Sequence, residues 1–297
     1  MATITVIGLG SMGMGMAQSL LRAGHVVHGL DISEARMAAF QAEGGAAGSV
    51  AEAAAASDVL VCVVLNAAQT REVLFGAGGA AAHLRPGAVI LSCATIAPAE
   101  AREFAEVAAG RGLLYLDAPI SGGAAKAAQG QLSIMASGAA EAFAAAGPAL
   151  EAMAATVHEL GAEPGAGSAM KAVNQLLAGV HIAAMGEAVA LGISQGLDPA
   201  RIVQVISASA GTSWMFENRA PHVVEGDYTP RSAVAIWPKD LGIVGGIAAS
   251  AGLPVPMTET ALAQFRAAVE AGDAQIDDAA VIRVYARAAG LSLPGES

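Results

Sequence analysis

The first 31 residues constrain the fold of this chain more than any other segment. An apolar run, Thr3–Ile7, leads directly into Gly8-Leu9-Gly10-Ser11-Met12-Gly13, and an apolar helical segment follows. In a strand–turn–helix unit with this spacing, the first glycine permits a tight turn, the second lets the backbone approach a pyrophosphate, and the third lets the helix pack against the strand. The phosphates would lie at the amino end of the helix that begins near Ser11. The pattern predicts a dinucleotide-binding βαβ unit, with residues 8 to 13 against the cofactor.

An acid at the end of the second apolar run indicates which dinucleotide is bound. Asp31 follows the run Val26–Leu30 and lies 18 residues after Gly13. This spacing is typical of a carboxylate that accepts hydrogen bonds from the ribose hydroxyls of NAD. A 2′-phosphate there would meet a like charge, and Ile32 and Ser33, not an arginine, follow directly. We therefore expect NAD rather than NADP.

Composition and charge narrow the class of protein. The 297 residues suffice for about two domains, and 55% hydrophobic against 14% charged residues is typical of a well-buried globular protein. The net charge of −11 argues against nucleic acid or an anionic membrane as partner, because phosphate binding needs clustered Lys and Arg. A small anionic substrate would need local basic groups against that field, so the few lysines are candidate site residues.

Cysteine and histidine spacing predicts neither a metal site nor a redox motif. Cys62 and Cys93 lie in apolar, strand-like runs and are expected to be buried, and the six histidines lack metal-ligand spacing. The run Ala172–Ile193 is long enough to span a bilayer, but polar residues such as Asn174 interrupt it, which favours a helix buried in protein. Since the first strand begins at Thr3, we expect no signal peptide and a cytoplasmic protein.

The first half of the chain alternates apolar runs with helical patterns. Strands are predicted at 3–7, 26–30, 45–48, 58–65, 88–93 and 113–117, and helices at 11–23, 34–43, 50–56, 68–75 and from Pro98, with a helix–strand passage to about 160. This alternation predicts a Rossmann-type, doubly wound parallel sheet with helices on both faces, whose ligands bind at the carboxyl ends of the strands. We therefore expect the cofactor to contact Leu65, Asn66 and Thr95, which lie at or just past the carboxyl ends of two of these strands.

After residue 161 the chain contains only helix-length segments. We expect a dinucleotide-binding domain over 1–161 and an all-helical substrate and oligomerisation domain over 162–297. The segment from Ser168 to about Gln195 predicts a helix roughly 40 Å long at 1.5 Å per residue. Because that length exceeds the width of most small domains, the helix is expected to bridge domains or to form a subunit contact.

Two polar groups have the chemistry of a substrate site. Lys171 is a lone lysine at the apolar start of the long helix, where burial would lower the pKa of an ammonium towards the range useful for proton transfer, and Asn174 lies on the same helix face. A lysine that extends to solvent is the competing interpretation. In Ser121-Gly122-Gly123, exposed N–H groups and a hydroxyl suit a substrate carboxylate, although an ordinary glycine turn has the same sequence.

Four blocks resemble the β-hydroxyacid dehydrogenase family, in the family's order over nearly the whole chain. They are Gly8–Ala17 with Gly24-His25, Asp117–Gly123, Gly165–Asn174 and Lys239-Asp240-Leu241. The resemblance implies that Lys171 exchanges the proton of the substrate hydroxyl while hydride passes to the nicotinamide, that Asn174 holds the substrate, and that residues 121–123 bind its carboxylate. It also implies that Thr95 and Lys239 contact the cofactor, and that the helical domain forms a homodimer or homotetramer.

Two departures and one segment bear on the substrate. Ala94 stands where the family usually has a serine, and Lys126 stands where a glycine is common. Lys126 could hydrogen-bond the extra hydroxyls of a polyol acid, or it could face solvent. The segments 214–219, which begins with Trp214, and 227–232 resemble the branch of the family that acts on L-threonate.

The resemblance implies an oxidoreductase that carries out reversible, NAD-dependent oxidation of a small hydroxy acid. L-threonate, going to its 2-oxo acid, is the expected substrate. The alternatives are oxidation of 3-hydroxyisobutyrate or reduction of tartronate semialdehyde. An imine reductase is disfavoured because those relatives usually replace the lysine that this chain keeps as Lys171. A nucleotide-sensing binding module without turnover is the alternative from another class.

Overall fold

The computed structural model describes residues 1–295. The chain forms two compact units, Met1–Lys171 and a second that begins at Ala172. The division falls inside the long helix, ten residues after the domain boundary expected at residue 161. Lys171 therefore belongs to the first unit and Asn174 to the second.

The first unit contains a five-stranded parallel sheet. Its strands are β1 (Thr3–Ile7), β2 (Val26–Leu30), β3 (Val59–Cys62), β4 (Val89–Ser92) and β5 (Leu114–Asp117). The strand order is β2-β1-β3-β4-β5, which confirms the predicted Rossmann-type sheet. All four residues of β3 and of β4 are buried, as expected for central strands covered on both faces.

Helices between the strands cover both faces of this sheet. They are α1 (Ser11–Arg22), α2 (Glu34–Ala42), α3 (Val50–Ala56), α4 (Ala67–Phe75) and α5 (Pro98–Ala109). Alternate strand residues enter two different cores: Val59 and Val61 pack in one cluster, and Leu60 and Cys62 pack in the other. Both cysteines are buried as predicted, and burial raises the pKa of the Cys62 thiol to about 12.

Two local predictions differ from the structure. The strand expected at 45–48 is a single bridge between Ala46 and His28, since Gly44, Gly45 and Gly48 give this stretch no pleated surface to pack. The passage before residue 160 forms a separate small sheet of β6 (Ile120–Ser121), β7 (Leu132–Ala136) and β8 (Ala154–Glu159), accompanied by α6 (Gly123–Gln129) and α7 (Ala140–Met153). Strand β6 is antiparallel to β7 and has two residues, too few for any periodicity to reveal.

The second unit is helical, as predicted. The long helix α8 (Ala166–Ser194) runs into it, and α9 (Pro199–Ser207), α10 (Trp214–Glu225), α11 (Ile236–Ser250), α12 (Pro256–Ala268) and α13 (Ile282–Ala289) follow. Its core includes the stacked rings of Trp237 and Phe265, 5.5 Å apart between centroids. Buried ionic groups accompany this core, since the Asp277 carboxylate pairs with His222 Nδ1 at 2.8 Å and Asp278 accepts from Trp237 Nε1 at 2.9 Å.

Helix α8 is less buried than expected. By length and composition alone, α8 is long and apolar enough to cross a membrane, with a mean hydropathy of 1.8. Only 39% of its most apolar stretch is buried. Core helices of globular proteins pass the same test. Val173, Leu177 and Leu191 are between 49% and 65% exposed, so the helix presents an apolar face that residues 1–295 leave uncovered.

Candidate active site

The glycine-rich turn between β1 and α1 divides into two glycines that the fold requires and one that it does not. A Cβ on Gly13 would overlap the Gly8 carbonyl oxygen, and Gly8 itself has a φ of +97° and lies against the Val63 carbonyl. Around Gly10, in contrast, no atom of the described residues lies within 4 Å of an added Cβ. Gly10 is also the N-cap of α1 and has no side chain with which to accept a hydrogen bond from the first-turn N–H groups. This open space in front of an uncapped helix fits a pyrophosphate.

Asp31 connects the end of β2 to this turn. Its Oδ2 accepts from the Leu9 N–H at 2.7 Å and its Oδ1 from the Ser33 N–H at 2.9 Å, and its side chain is 6% exposed. Arg36 Nη1 lies 3.6 Å from Oδ1. Sequence reasoning missed this arginine because it considered only the residues directly after Asp31, whereas the first turn of α2 brings Arg36 back towards the carboxylate.

The other residues predicted to contact the cofactor follow the neighbouring strands. The parallel register pairs Ile7 with both Leu30 and Cys62, and Ser92 with both Cys62 and Asp117, so the five strands end along one edge. Past this edge come Ser11 and Met12 on α1, Leu65 and Asn66 after β3, and Thr95 after β4. Asn66 caps α4 by accepting from the Gln69 N–H at 2.9 Å, and Leu65 is 58% exposed.

A buried carboxylate links β5 to the start of α8. Asp117 Oδ2 accepts from the N–H groups of Gly165 at 2.9 Å and Ser168 at 2.7 Å, and Oδ1 accepts from the Ser168 hydroxyl at 2.6 Å. Burial raises the pKa of Asp117, and the hydrogen bonds from Ser168 and Gly165 oppose that shift. The sequence placed Asp117 in a family block but assigned it no role, since nothing local connects it to a helix that starts about 50 residues later.

Lys171 lies one helical turn beyond Ser168. It is 8% exposed, and its Nζ donates to the Ile120 carbonyl at 2.8 Å, so the interpretation as a solvent-exposed lysine is wrong. The carbonyl belongs to β6, which ends at Ser121. The ammonium is therefore held at the beginning of the predicted carboxylate-binding segment, within the first unit.

The segment after Ser121 turns sharply into α6. Gly122 has a φ of +136° and Gly123 of +79°, a region that favours glycine, so the sequence Ser-Gly-Gly matches a real backbone requirement. Lys126 lies one turn into α6 and is exposed. Its Cβ and Cδ pack beside Gly122, each 3.1 Å from where a Cβ on that glycine would lie.

In the second unit, Asn174 and Lys239 belong to one polar chain. Asn174 Nδ2 donates to Gln175 Oε1 at 2.9 Å, Gln175 Nε2 donates to Asp240 Oδ2 at 2.5 Å, and Lys239 Nζ pairs with Asp240 Oδ1 at 2.6 Å. Gln175 and Asp240 are buried, while the Lys239 side chain is 27% exposed. Sequence reasoning assigned no role to Gln175 or Asp240, although each adjoins a predicted site residue.

Comparison with known proteins agrees with this architecture. Residues 3–161 match the NAD-binding domain of 6-phosphogluconate dehydrogenase, and residues 165–285 match the NAD-binding region of NADP-dependent 3-hydroxyisobutyrate dehydrogenase. The chain is 50% identical to an L-threonate dehydrogenase of Cupriavidus necator, over 99% of this chain and 98% of that protein. It is 48% identical to an L-threonate dehydrogenase of Escherichia coli, over 98% and 96%.

A solved structure extends the similarity to three dimensions. A 3-hydroxyisobutyrate dehydrogenase from Salmonella typhimurium superposes with a TM-score of 0.90 at 48% identity, covering 95% of this chain and 99% of that one. The resemblance predicted from the four sequence blocks is confirmed. This chain belongs to the 3-hydroxyisobutyrate dehydrogenase-like family of NAD(P)-dependent hydroxyacid dehydrogenases.

Proposed function

We propose that the chain oxidises L-threonate to its 2-oxo acid, 2-dehydro-L-erythronate, with NAD as the cofactor. The observation that carries this proposal is the full-length similarity to five proteins named L-threonate dehydrogenase, at 44% to 50% identity. A relative named for another substrate, the 2-(hydroxymethyl)glutarate dehydrogenase of Eubacterium barkeri, is 35% identical over a similar length.

Lys171 is the proposed acid–base catalyst. The carbonyl of Ile120 holds its Nζ beside Ser121, where the neutral amine can accept the proton of a substrate hydroxyl and, in the reverse reaction, the ammonium can return it. A bound nicotinamide would supply the hydride acceptor for the carbon that bears this hydroxyl. The protein's contribution is to hold the amine in one place and to take the hydroxyl proton as the carbonyl forms.

Residues 121–123 are the proposed carboxylate site. The Ser121 hydroxyl and the N–H groups of Gly122 and Gly123 can donate to an anion, and the positive φ of both glycines turns the backbone around it. The ammonium of Lys126 adds a positive charge in a chain of net charge −11. Its exposed end could reach a further hydroxyl of a polyol acid, which is why we include Lys126 in the substrate site.

Asn174 is the proposed second contact to the substrate, because it follows Lys171 by one turn of the same helix. Its hydrogen bond to Gln175, and that of Gln175 to Asp240, orient the amide with Nδ2 towards Gln175. The ion pair with Asp240 likewise orients Lys239, the proposed cofactor contact from the second unit.

The preference for NAD over NADP rests on Asp31. A 2′-phosphate on the adenosine ribose would approach this carboxylate, and like charges at that distance oppose binding. The nearby Arg36 already interacts with the Asp31 carboxylate, which offsets part of the positive charge that Arg36 could offer to a 2′-phosphate. Residues 165–285 match an NADP-dependent enzyme, which would favour NADP, but this range does not include Asp31, the acid proposed to contact the ribose.

The second candidate substrate is 3-hydroxyisobutyrate. The observation that favours it is the name given to the Salmonella typhimurium structure, which is as similar in sequence as the Escherichia coli L-threonate dehydrogenase. Reduction of tartronate semialdehyde would use the same residues in the opposite direction.

We also propose a homodimer or homotetramer that acts in the cytoplasm. The support for the oligomer is the apolar face of α8, which lines an open groove of about 310 Å³ with Met257 and Thr260 of α12 and Tyr285 of α13. Leu191 lies in that groove and is 65% exposed.

The substrate proposal is tested by initial rates of NADH formation with L-threonate, D-threonate, 3-hydroxyisobutyrate and glycerate, each repeated with NADP⁺. We expect the highest kcat/KM with L-threonate and NAD⁺, because the relatives and Asp31 point to that pair. A higher kcat/KM with 3-hydroxyisobutyrate would show that this acid, and not L-threonate, is the substrate, and would leave the proposed mechanism unchanged. A higher value with NADP⁺ would contradict the argument from Asp31.

Lys171→Met should lower kcat by about 10²- to 10⁴-fold, the usual contribution of a general acid–base group. Lys171→Arg should be similarly impaired, because a guanidinium keeps the charge but does not give up its proton near neutral pH. NADH binding, measured by fluorescence titration, should change little in either variant. Full activity of the Met variant would refute the catalytic role of Lys171, whereas NAD⁺ binding without any turnover in the wild-type protein would favour a binding module.

Gly10→Ala should weaken NAD⁺ binding by roughly tenfold or more, since the added methyl group meets the cofactor and not the protein, and should cost no more than about 1 kcal/mol of stability, because alanine is a poorer N-cap than glycine. The matched control is Gly147→Ala in α7, another glycine whose added Cβ meets open space. It should bind NAD⁺ normally and gain up to about 1 kcal/mol of stability. Equal NAD⁺ affinity in the two variants would contradict the proposal that the pyrophosphate binds at this turn.

Sedimentation velocity should give a mass that is twice or four times the 29.2 kDa of the chain. Leu191→Glu should shift the protein towards monomer, because a charge would then be buried in the subunit contact. The matched control is Leu253→Glu, at an apolar residue that is 61% exposed but lies outside the groove. This variant should keep the oligomeric state of the wild-type protein. A monomeric wild-type protein would overturn the proposed assembly.

A further inference from the structure

Two hydrogen-bonded connections join the same pair of short segments, and they have the same spacing. The Asp117 side chain bonds Ser168, and the Lys171 side chain bonds the backbone of Ile120. Ile120 follows Asp117 by three residues, and Lys171 follows Ser168 by three residues. The carboxylate and the ammonium therefore tie segments 117–120 and 168–171 together at both ends.

The carboxylate satisfies the amino end of α8. The first N–H groups of a helix have no acceptor within the helix, and Gly165 and Ala166 carry no side chain that could cap it. Asp117, at the end of β5, supplies the acceptor, since its Oδ2 accepts from the N–H groups of both Gly165 and Ser168. The Gly167 N–H donates to the Ser137 hydroxyl at 3.0 Å, on the residue that bridges to Asp117. A negative charge at this end also interacts favourably with the helix dipole.

Steric contact fixes the same point. A Cβ on Gly167 would overlap the Met135 carbonyl oxygen and would lie 2.6 Å from the Asp117 carbonyl oxygen. The first turn of α8 is therefore pressed directly onto the ends of β5 and β7, where only a glycine fits. The helix can neither approach further nor slide without losing the hydrogen bonds to Asp117.

The position of Lys171 follows from the position of that first turn. Each residue of an α-helix adds 100° of rotation and 1.5 Å of rise, so a shift of the helix start by a fraction of a residue moves the Lys171 side chain by about an ångström. An error of that size is enough to cost about 10²-fold in rate in an enzyme site.

We propose that Asp117 is a positioning residue for Lys171: its buried carboxylate fixes where α8 begins and thereby holds the catalytic ammonium at the Ile120 carbonyl, beside residues 121–123. The proposal rests on the role of Lys171 in the proposed function. It assigns Asp117 no contact with substrate or cofactor.

The first test measures the amine itself and needs no substrate. The chain has three lysines, Lys126, Lys171 and Lys239, so acylation by a trace of acetic anhydride can be followed for each by mass spectrometry. In the wild-type protein the buried Lys171 should react slowly compared with the exposed Lys126. In Asp117→Asn, which replaces a doubly accepting carboxylate with an amide, the reactivity of Lys171 relative to Lys126 should rise by at least about fivefold. An unchanged ratio in a folded variant would overturn the proposal.

The second test measures catalysis. With L-threonate, Asp117→Asn should lower kcat by about 10²-fold, with the KM for NAD⁺ changed less than about twofold. Ser168→Ala removes one hydrogen bond from the carboxylate and should lower kcat by a smaller factor, about tenfold. With L-threonate deuterated at the oxidised carbon, both variants should show a larger isotope effect on kcat than the wild-type enzyme, because the chemical step becomes slower.

The matched control is Ser57→Ala. Ser57 is also fully buried in the first unit, where its hydroxyl bonds Thr5 Oγ1 at 2.7 Å and the Ala53 carbonyl at 2.8 Å. Its loss should lower the melting temperature about as much as Ser168→Ala while leaving kcat and the isotope effect unchanged. Equal loss of kcat in the two serine variants would mean that Asp117 and Ser168 act only through stability, and would overturn the proposal.

The outcomes separate this proposal from the proposed function. If the wild-type protein oxidises none of the hydroxy acids but Asp117→Asn still exposes Lys171 to acylation, the function fails and the positioning role stands. If the wild-type enzyme oxidises L-threonate and Asp117→Asn changes neither acylation nor kcat, the function stands and the positioning role fails. Where Asp117→Asn does not fold, Ser168→Ala supplies both readouts.

Discussion

The shared carboxyl edge of the parallel sheet is the constraint on which the rest of the first unit depends. Parallel strands need crossover helices, so each helix that follows a strand begins near this edge with N–H groups that lack acceptors. Helix α2 satisfies them with the hydroxyl of Ser33, and α4 with the amide oxygen of Asn66. Helix α1 begins at Gly10, which has no side chain to offer. The unsatisfied donors of α1 and the open space around Gly10 together make this helix start the natural place for a dinucleotide phosphate.

The same physical problem at α8 has a different solution. There the acceptor is an internal anion, the carboxylate of Asp117, and the space in front of the helix is filled by protein rather than left open. The two helix starts differ sterically. A Cβ added to Gly10 would have no atom of the described residues within 4 Å, whereas a Cβ added to Gly167 would collide with two carbonyl oxygens. One helix start therefore suits a ligand, and the other suits a rigid support for the lysine one turn later.

Charge is distributed to match this division of roles. A chain with a net charge of −11 repels an anionic substrate and an anionic cofactor over most of its surface. Two of its three lysines lie in the first unit, Lys126 beside Gly122 and Lys171 at the Ile120 carbonyl, and the third, Lys239, pairs with Asp240 in the second. Of these, Lys171 is buried and held by a neutral carbonyl, whereas Lys239 is paired with a carboxylate.

The sequence by itself determined the elements whose chemistry is local. The glycine spacing with Asp31 and the alternation of apolar runs with helical patterns predicted the parallel sheet and the helical second half, and the apolar stretch around Lys171 indicated that lysine as a candidate site residue. These features are readable because turns, strand burial and helix periodicity each depend on a few neighbouring residues. Tertiary structure decided what depends on distant partners: the small sheet that contains the two-residue strand β6, the proximity of Arg36 to Asp31, the chain from Asn174 through Gln175 to Asp240, and the capping of α8 by Asp117. The last of these joins residues about 50 positions apart, and no local pattern encodes such a pairing, because only the folded chain brings an orphaned helix end and a buried carboxylate together.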